Sequence, residues 1–315
     1  MHKVESPHYV FICSAGHSGS TLLDLMLGAH SQMESLGEIT HLPKNLALNT
    51  PCTCGAPVRE CGFWRSVMVD LSSKMSCSLL DDPYRLDLGF IDAHMIIDKT
   101  HQTALYRFRQ QLLLGVYYLA LKYGISVRLG VGGHFDRIVR SNQLLFDAVM
   151  AHSCKRIVID SSKSYLKALA YYKAFPANTR IIALARDGRG VFFSGVRRGM
   201  AWKPALNAWL HHYTRALPLY ERHVARDHLM FVKYEDLSQN TSQTLGAICN
   251  FLGLEYEDGM LNFAAAVHHI TNGNDMRFSG SEIRLDEKWR KGLTEDQLSY
   301  FAARAGECNA SLGYR

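Results

Sequence analysis

The sequence predicts an α/β fold, a three-layer α/β/α arrangement around a central parallel sheet. Short, continuous apolar runs alternate with helix-patterned segments along 315 residues, as strands covered on both faces do. Each apolar run ends in a cluster of small, hydroxylic or charged residues. The composition, 47% hydrophobic and 20% charged with 24 Gly and 8 Pro, is that of an ordinary globular chain and excludes a disordered, collagenous or coiled-coil one.

Four strand–loop–helix units follow in order. Tyr9-Val-Phe-Ile-Cys13 runs into Ser14-Ala-Gly-His-Ser-Gly-Ser-Thr21 and an apolar helix over 22–29. Arg156-Ile-Val-Ile-Asp160 runs into Ser161-Ser-Lys-Ser164 and a helix over 165–174. Arg180-Ile-Ile-Ala-Leu-Ala185 runs into Arg186-Asp-Gly-Arg189 and a helix over 190–197. His228-Leu-Met-Phe-Val232 runs into Lys233-Tyr-Glu-Asp-Leu237 and a helix from about 241 to 252. Ligands of such sheets sit beyond the carboxyl ends of the strands, where all of these polar clusters fall. Between the first two runs, residues 50–154 show no clear strand but have helical patterning at Leu105, Phe108, Leu112, Val116 and Leu119. This stretch reads as a mostly helical insert at about 77–150. With no repeat, low-complexity segment or Gly/Ser linker, a single domain over 1–315 is expected.

The longest apolar stretch, Leu112 to Leu121, covers ten residues, about half of a bilayer span. The apolar run at Val10 to Cys13 is too short for a signal-peptide core. A cytoplasmic protein with no membrane span is expected. Lys and Arg exceed Asp and Glu by six, with no block of five like charges, which disfavours a nucleic-acid tail and suits a small polyanionic ligand. Eight cysteines are too few for a disulfide scaffold, and a reducing compartment is the expectation.

Two motifs carry the chemistry. In Gly16-His-Ser-Gly-Ser-Thr21 the glycines let the backbone curl, so that loop amides and a helix N-terminus make an anion site; Ser18, Ser20 and Thr21 add hydroxyls. A P-loop NTPase requires Gly-x-x-x-x-Gly-Lys-Ser/Thr, and the Lys is missing here. The segment could also be a Gly/Ser turn without a ligand. In the second motif Arg186 ends a buried run, while Ser194 and Arg198 are four residues apart and share a helix face. Two guanidiniums and a hydroxyl suit a phosphate monoester; the alternative is a structural Arg186–Asp187 turn beside a solvated basic helix.

Together the two motifs resemble the sulfotransferase family, bacterial and tyrosylprotein members above all. So do Ala29-His30, Gly37-Glu38, Val158-Ile-Asp-Ser-Ser-Lys163, Val232-Lys-Tyr-Glu-Asp-Leu237, Phe251-Leu-Gly253, Gly273-Asn-Asp-Met-Arg277 and Lys288-Trp289. The resemblance implies a P-loop-like nucleotide-binding fold. The implied activity is transfer of a sulfuryl group from 3′-phosphoadenosine 5′-phosphosulfate (PAPS) to a carbohydrate, tyrosine or small-metabolite hydroxyl. Adenosine 3′,5′-bisphosphate (PAP) is the implied product, and no metal is required. It implies that His17, Ser18, Gly19, Ser20 and Thr21 hold the 5′-phosphosulfate and that Arg186, Ser194 and Arg198 hold the 3′-phosphate. Tyr234, Asn274, Arg277 and Lys288 would lie close to the donor, and Glu38 would be the general base. His17 departs from the family, which has Arg or Lys there. It must therefore be protonated, from an ordinary pKa of about 6.5, or be compensated by Lys163.

Two other readings compete. An ATP-dependent small-molecule kinase with an atypical loop would need a magnesium carboxylate, for which Asp160 is the candidate. A non-catalytic nucleotide-binding protein would explain the missing cation at position 17. Cys52-Thr-Cys54-Gly-Ala-Pro-Val-Arg-Glu-Cys61 offers three sulfurs where a closed zinc site wants four ligands. Either His41 or Cys77 completes it, or it is a metal-free loop of reduced cysteines pinned by Phe63 and Trp64. Trp202 and Trp209 read as core or pocket wall, and His211, His212, His268 and His269 as partly buried residues that are not ligands.

Overall fold

In a computed structural model the structure describes residues 8–89, 104–125, 131–278 and 283–315. Five strands form one all-parallel sheet: β1 (Tyr9–Cys13), β2 (Met33–Ser35), β3 (Ile157–Asp160), β4 (Thr179–Ala185) and β5 (Leu229–Lys233), in the order β2-β3-β1-β4-β5. Tyr9 pairs with Val158 on one side and Thr179 on the other. Because β1 is central and the chain builds outward from it in both directions, the loops after β1, β3 and β4 meet at a topological switch point.

Alternation along β1 sorts the core. Tyr9, Phe11 and Cys13 face one layer, with Trp64, Phe146 and Tyr171. Val10 and Ile12 face the other, with Leu23, Met26 and Ile248. This is the two-residue period of a strand buried on both faces. The first layer holds α3 (Gly62–Met75), α5 (Val131–Ser153) and α6 (Tyr165–Ala174); the second holds α1 (Ser20–Gly28) and α10 (Thr241–Phe251). Short helices α2 (Leu42–Leu48) and α9 (Tyr234–Gln239) follow β2 and β5. A third cluster joins α7 (Gly188–Arg197), α8 (Trp202–His223), α11 (Trp289–Gly292) and α12 (Glu295–Ser311) around Phe192, Trp209 and Phe301.

Three findings depart from the sequence reading. The strand β2 has no counterpart in it: Met33-Glu-Ser35 is three residues long and has no β-branched side chain. It exists because it pairs with β3, Met33 opposite Ile157, and because Lys155 donates to the Met33 carbonyl at 2.9 Å and pairs with Glu34 at 3.1 Å. Tertiary pairing overrides weak local propensity here. Second, on α4 (Ala104–Tyr123) the apolar stripe Leu105, Phe108, Leu112 and Leu119 faces outward and is exposed. Residues 90–103 and 126–130 of the expected insert lie outside the described residues. Third, Trp202 is partly exposed, whereas Trp209 is fully buried. No helix among the described residues is long and apolar enough to cross a membrane.

Candidate active site

The loop after β1 turns into α1 at Gly19, whose φ of 87° is left-handed. A Cβ at Gly19 would collide with the Tyr234 ring, so a glycine is what lets Tyr234 lie against the loop. The first-turn amides of α1 lack intrahelical acceptors and open on a cavity of about 890 Å3. His17, Gly19, Ser20 and Thr21 line it. Ser18 does not, being fully buried beneath the loop. Thr21 Oγ1 accepts from the Asn274 amide at 3.3 Å, which brings the 273–276 segment to the rim.

Arg186, Ser194 and Arg198 line the same cavity. Arg186 is buried. It donates to the carbonyls of His17 at 3.0 Å and Asp286 at 2.8 Å, pairs with the Asp286 carboxylate at 3.3 Å, and lies 4.5 Å over the Tyr234 ring. The Arg186–Asp187 turn is not an ion pair. Asp187 instead pairs with Arg189 at 2.6 Å and caps α7 by accepting from the Arg189 amide at 2.9 Å. The indole N–H of Trp209 donates to the Arg186 carbonyl at 3.2 Å, supporting the strand end from beneath.

Glu38 reaches the cavity because β2 exists. The pairing with β3 continues past the strand: Leu36 donates to Ile159 at 3.0 Å and Ser161 to Gly37 at 3.0 Å. Gly37 then turns with a φ of 68°, where a Cβ would meet Ile270 at 2.6 Å and Asn272 at 2.7 Å. Glu38 and Lys163 thus leave the ends of adjacent strands, and their side chains are in direct ion-pair contact. The second Glu38 oxygen accepts from Asn272 at 3.3 Å and lies 3.7 Å from His41. Lys163 itself has a left-handed φ of 65°.

The electrostatics at His17 overturn one expectation. Arg198 donates to His17 Nε2 at 3.2 Å, so that nitrogen is an acceptor and the ring is neutral. Burial first, then the charges of Arg198, Lys163 and Arg186, push the imidazole below its ordinary pKa against a smaller opposing effect of Glu38. In the free protein His17 therefore does not titrate at its ordinary value and is not a standing cation.

Of the remaining expected residues, Tyr234, Asn274 and Lys288 line the cavity, the last two exposed at its rim. Arg277 does not; its guanidinium donates to the Gly273 carbonyl and stacks on Phe278. Asp160, the magnesium candidate of a kinase, is also outside the lining. It is buried against Lys167 at 2.7 Å and accepts from the Ser162 amide at 2.7 Å. Sequence reasoning missed Asn272, which touches Glu38, and Asp286, which holds Arg186. Asn272 immediately precedes the Gly273-Asn-Asp-Met-Arg277 segment, so that motif's edge was its available signal.

Residues 137–258 match the model of the sulfotransferase family. Carbohydrate sulfotransferase 1 of Danio rerio is 27% identical over 169 residues, which are 44% of this chain and 39% of that relative's length. The sulfotransferase domain of the Synechococcus PCC 7002 olefin synthase shares the fold with a TM-score of 0.52, at 21% identity and 95% coverage of both chains. The sulfotransferase domain of the curacin biosynthetic pathway does so with a TM-score of 0.52, at 19% identity and 98% coverage of both. The match over residues 137–258, the shared fold and the two loops on one cavity point the same way: part of this chain is similar in sequence, and nearly all of it in fold, to sulfotransferases.

Proposed function

We propose that the chain transfers a sulfuryl group from PAPS to an acceptor hydroxyl by in-line displacement. One observation carries this reading: both anion loops and the Glu38–Lys163 pair line a single cavity. The α1 N-terminus with His17, Gly19, Ser20 and Thr21 receives the 5′-phosphosulfate, while Ser18, expected to join them, is buried beneath the loop and supports it. Arg186, Ser194 and Arg198 hold the 3′-phosphate; Tyr234, Asn274 and Lys288 flank the nucleotide, and Arg277 braces the segment that carries Asn274.

In the transfer, a bond forms from the acceptor oxygen to sulfur, and the bond from sulfur to the 5′-phosphate oxygen breaks. The acceptor proton passes to Glu38, and PAP leaves with the bonding electrons. As in phosphoryl transfer, catalysis is mostly positioning and electrostatics. Lys163 and Arg198 supply the positive charge that position 17 lacks, and Asn272 orients Glu38. The step needs no metal, because cations of the chain surround the leaving phosphate.

The acceptor class to which the named relative points is a carbohydrate hydroxyl; tyrosine and small-metabolite hydroxyls are its competitors. We take residues 1–315 as one catalytic domain with α4 and α5 in a helical insert. A reducing, cytoplasmic setting suits eight free thiols. The test is label transfer from radiolabelled PAPS to a panel of glycans, tyrosine peptides and small phenols and alcohols. Transfer to one class supports the reading. Magnesium-dependent ATP consumption with no PAPS turnover replaces it with a kinase, and PAP binding without transfer to any acceptor replaces it with a nucleotide-binding protein.

A further inference from the structure

The loop between α2 and α3 holds a second constellation that the transfer reaction does not use. Cys52, Cys54 and Cys61 converge with His269 from the far end of the chain, their ligand atoms all within 4.8 Å of one another. The sequence alone offers three sulfurs, with His41 or Cys77 as the fourth donor. Instead His41 sits against Glu38, Cys77 lies past the C-terminal end of α3, and His269, read as a non-ligand, completes the set.

The spacings are those of a coordination sphere. Zinc bonds to sulfur of about 2.3 Å at tetrahedral angles set ligand atoms about 3.8 Å apart. Cys54 Sγ lies 3.5 Å from Cys61 Sγ, which lies 3.4 Å from His269 Nδ1. Cys52 and Cys61 are buried, while Cys54 is exposed and leaves a route of entry. All eight thiols are free.

The surroundings fix the ligands before any metal arrives. Cys52 donates its amide to the Ala56 carbonyl at 2.9 Å and accepts from the Gly55 amide at 3.0 Å, closing a tight turn around Cys54. Thr53, between two of the cysteines, is zipped to the histidine segment. Its amide donates to Ile270 at 3.1 Å, its hydroxyl donates to the His268 carbonyl at 2.7 Å, and the same hydroxyl accepts from the Ile270 amide at 2.9 Å. The Phe63 ring stacks on His269 at 4.5 Å and 10°, and the Trp64 indole donates to the His269 carbonyl at 2.7 Å. Such supports orient metal ligands. Cys61 is the N-cap of α3, where the helix dipole favours a thiolate.

We propose that Cys52, Cys54, Cys61 and His269 bind one structural zinc ion in a closed, tetrahedral site of three sulfurs and one nitrogen. Three sulfurs and an imidazole in a compact tetrahedron select zinc over magnesium or calcium, which want oxygen. On binding, three thiols release their protons, and the divalent ion with three thiolates and a neutral imidazole carries one net negative charge. The ion ties the 51–61 loop to residues 268–270, two positions before the Asn272 that contacts Glu38. Its place is structural, since all four ligand positions are filled by protein and none is open to substrate. The site stands on its own geometry, whatever group the cavity transfers.

The test is metal analysis of the full chain, expressed and purified under reducing conditions without chelator. One zinc per chain is expected. Exchange for cobalt should give thiolate-to-cobalt charge-transfer absorption and tetrahedral d–d bands. His269→Cys should keep one metal and shift the cobalt spectrum to that of four sulfurs, and His269→Ala should lose stoichiometric zinc. If His269→Ala fails to fold, the wild-type content and the His269→Cys spectrum decide. Wild-type protein that holds no zinc and takes up no cobalt with its thiols reduced overturns the proposal. So does a Cys54–Cys61 disulfide in that preparation, or a cobalt spectrum unmoved by His269→Cys.

Discussion

Arg198 at the end of α7 donates a hydrogen bond to Nε2 of His17 in the loop after β1, at 3.2 Å. The two motifs, 181 residues apart in sequence at this contact, therefore meet directly. The contact makes His17 an acceptor, set among the cations Arg198, Lys163 and Arg186.

The first consequence is a pH dependence. His17 should titrate below its ordinary value of about 6.5 in the free protein, because burial and three nearby cations disfavour its charged form. Bound PAP places negative charge among those cations and should raise that pKa. A bound-state pKa above the free-state one means that binding takes up a proton. The extra affinity is then complete below the free-state value and fades as pH rises through the bound-state value. An NMR titration of the imidazole with and without PAP, alongside PAP affinity against pH, checks this. A free-state pKa above the ordinary value would contradict it.

PAP should stabilise the fold far more than adenosine 5′-monophosphate at equal concentration, since a ligand of the native state stabilises by RT ln(1 + [L]/Kd). Arg186→Ala should cost roughly 2–5 kcal/mol of PAP affinity, the scale for truncating one partner of a buried charge pair. Equal melting shifts from the two nucleotides, or an unimpaired Arg186→Ala variant, would remove the 3′-phosphate from this site.

How far the sequence alone could reach is clear from Glu38. Four strands were legible because each is a continuous apolar run ending in a polar cluster, and their switch-point loops were legible with them. The fifth strand was not, because Met33-Glu-Ser35 has no pattern of its own and is held by β3 and Lys155. That strand delivers Glu38 to Lys163, so the resemblance pointed to Glu38 while the pairing that positions it stayed hidden. His269 was invisible as a ligand for a related reason: it lies 208 residues from Cys61, and no local spacing links them. Arg277 matched a motif, yet it packs on its own loop.

Lys167→Met should destabilise the fold by about 3–5 kcal/mol, because it strands the buried Asp160 carboxylate without its partner. Lys167 and Asp160 are 2% and 1% exposed, so solvent does little to screen the loss. Denaturant melts measure it. Asp160→Asn placed on top of Lys167→Met should recover much of the deficit, and a double variant as unstable as the sum of the singles would argue against coupling.

Asn272 should act through Glu38. Asn272→Ala is expected to lower turnover by about 10-fold or more, the scale of losing one orienting hydrogen bond to a charged group, with PAP affinity little changed. A rise in the donor KM without a fall in kcat would mean that Asn272 serves binding instead.

The most direct measurement is single-turnover formation of PAP from PAPS, with and without the acceptor found in the screen, for wild type and Glu38→Gln. The expected result is acceptor-dependent PAP release in wild type that falls by roughly 10²–10⁴ in the variant, with PAP affinity retained. Acceptor-dependent transfer that proceeds at the wild-type rate in Glu38→Gln would contradict Glu38 as the base, and PAPS turnover by neither protein would contradict the transfer itself.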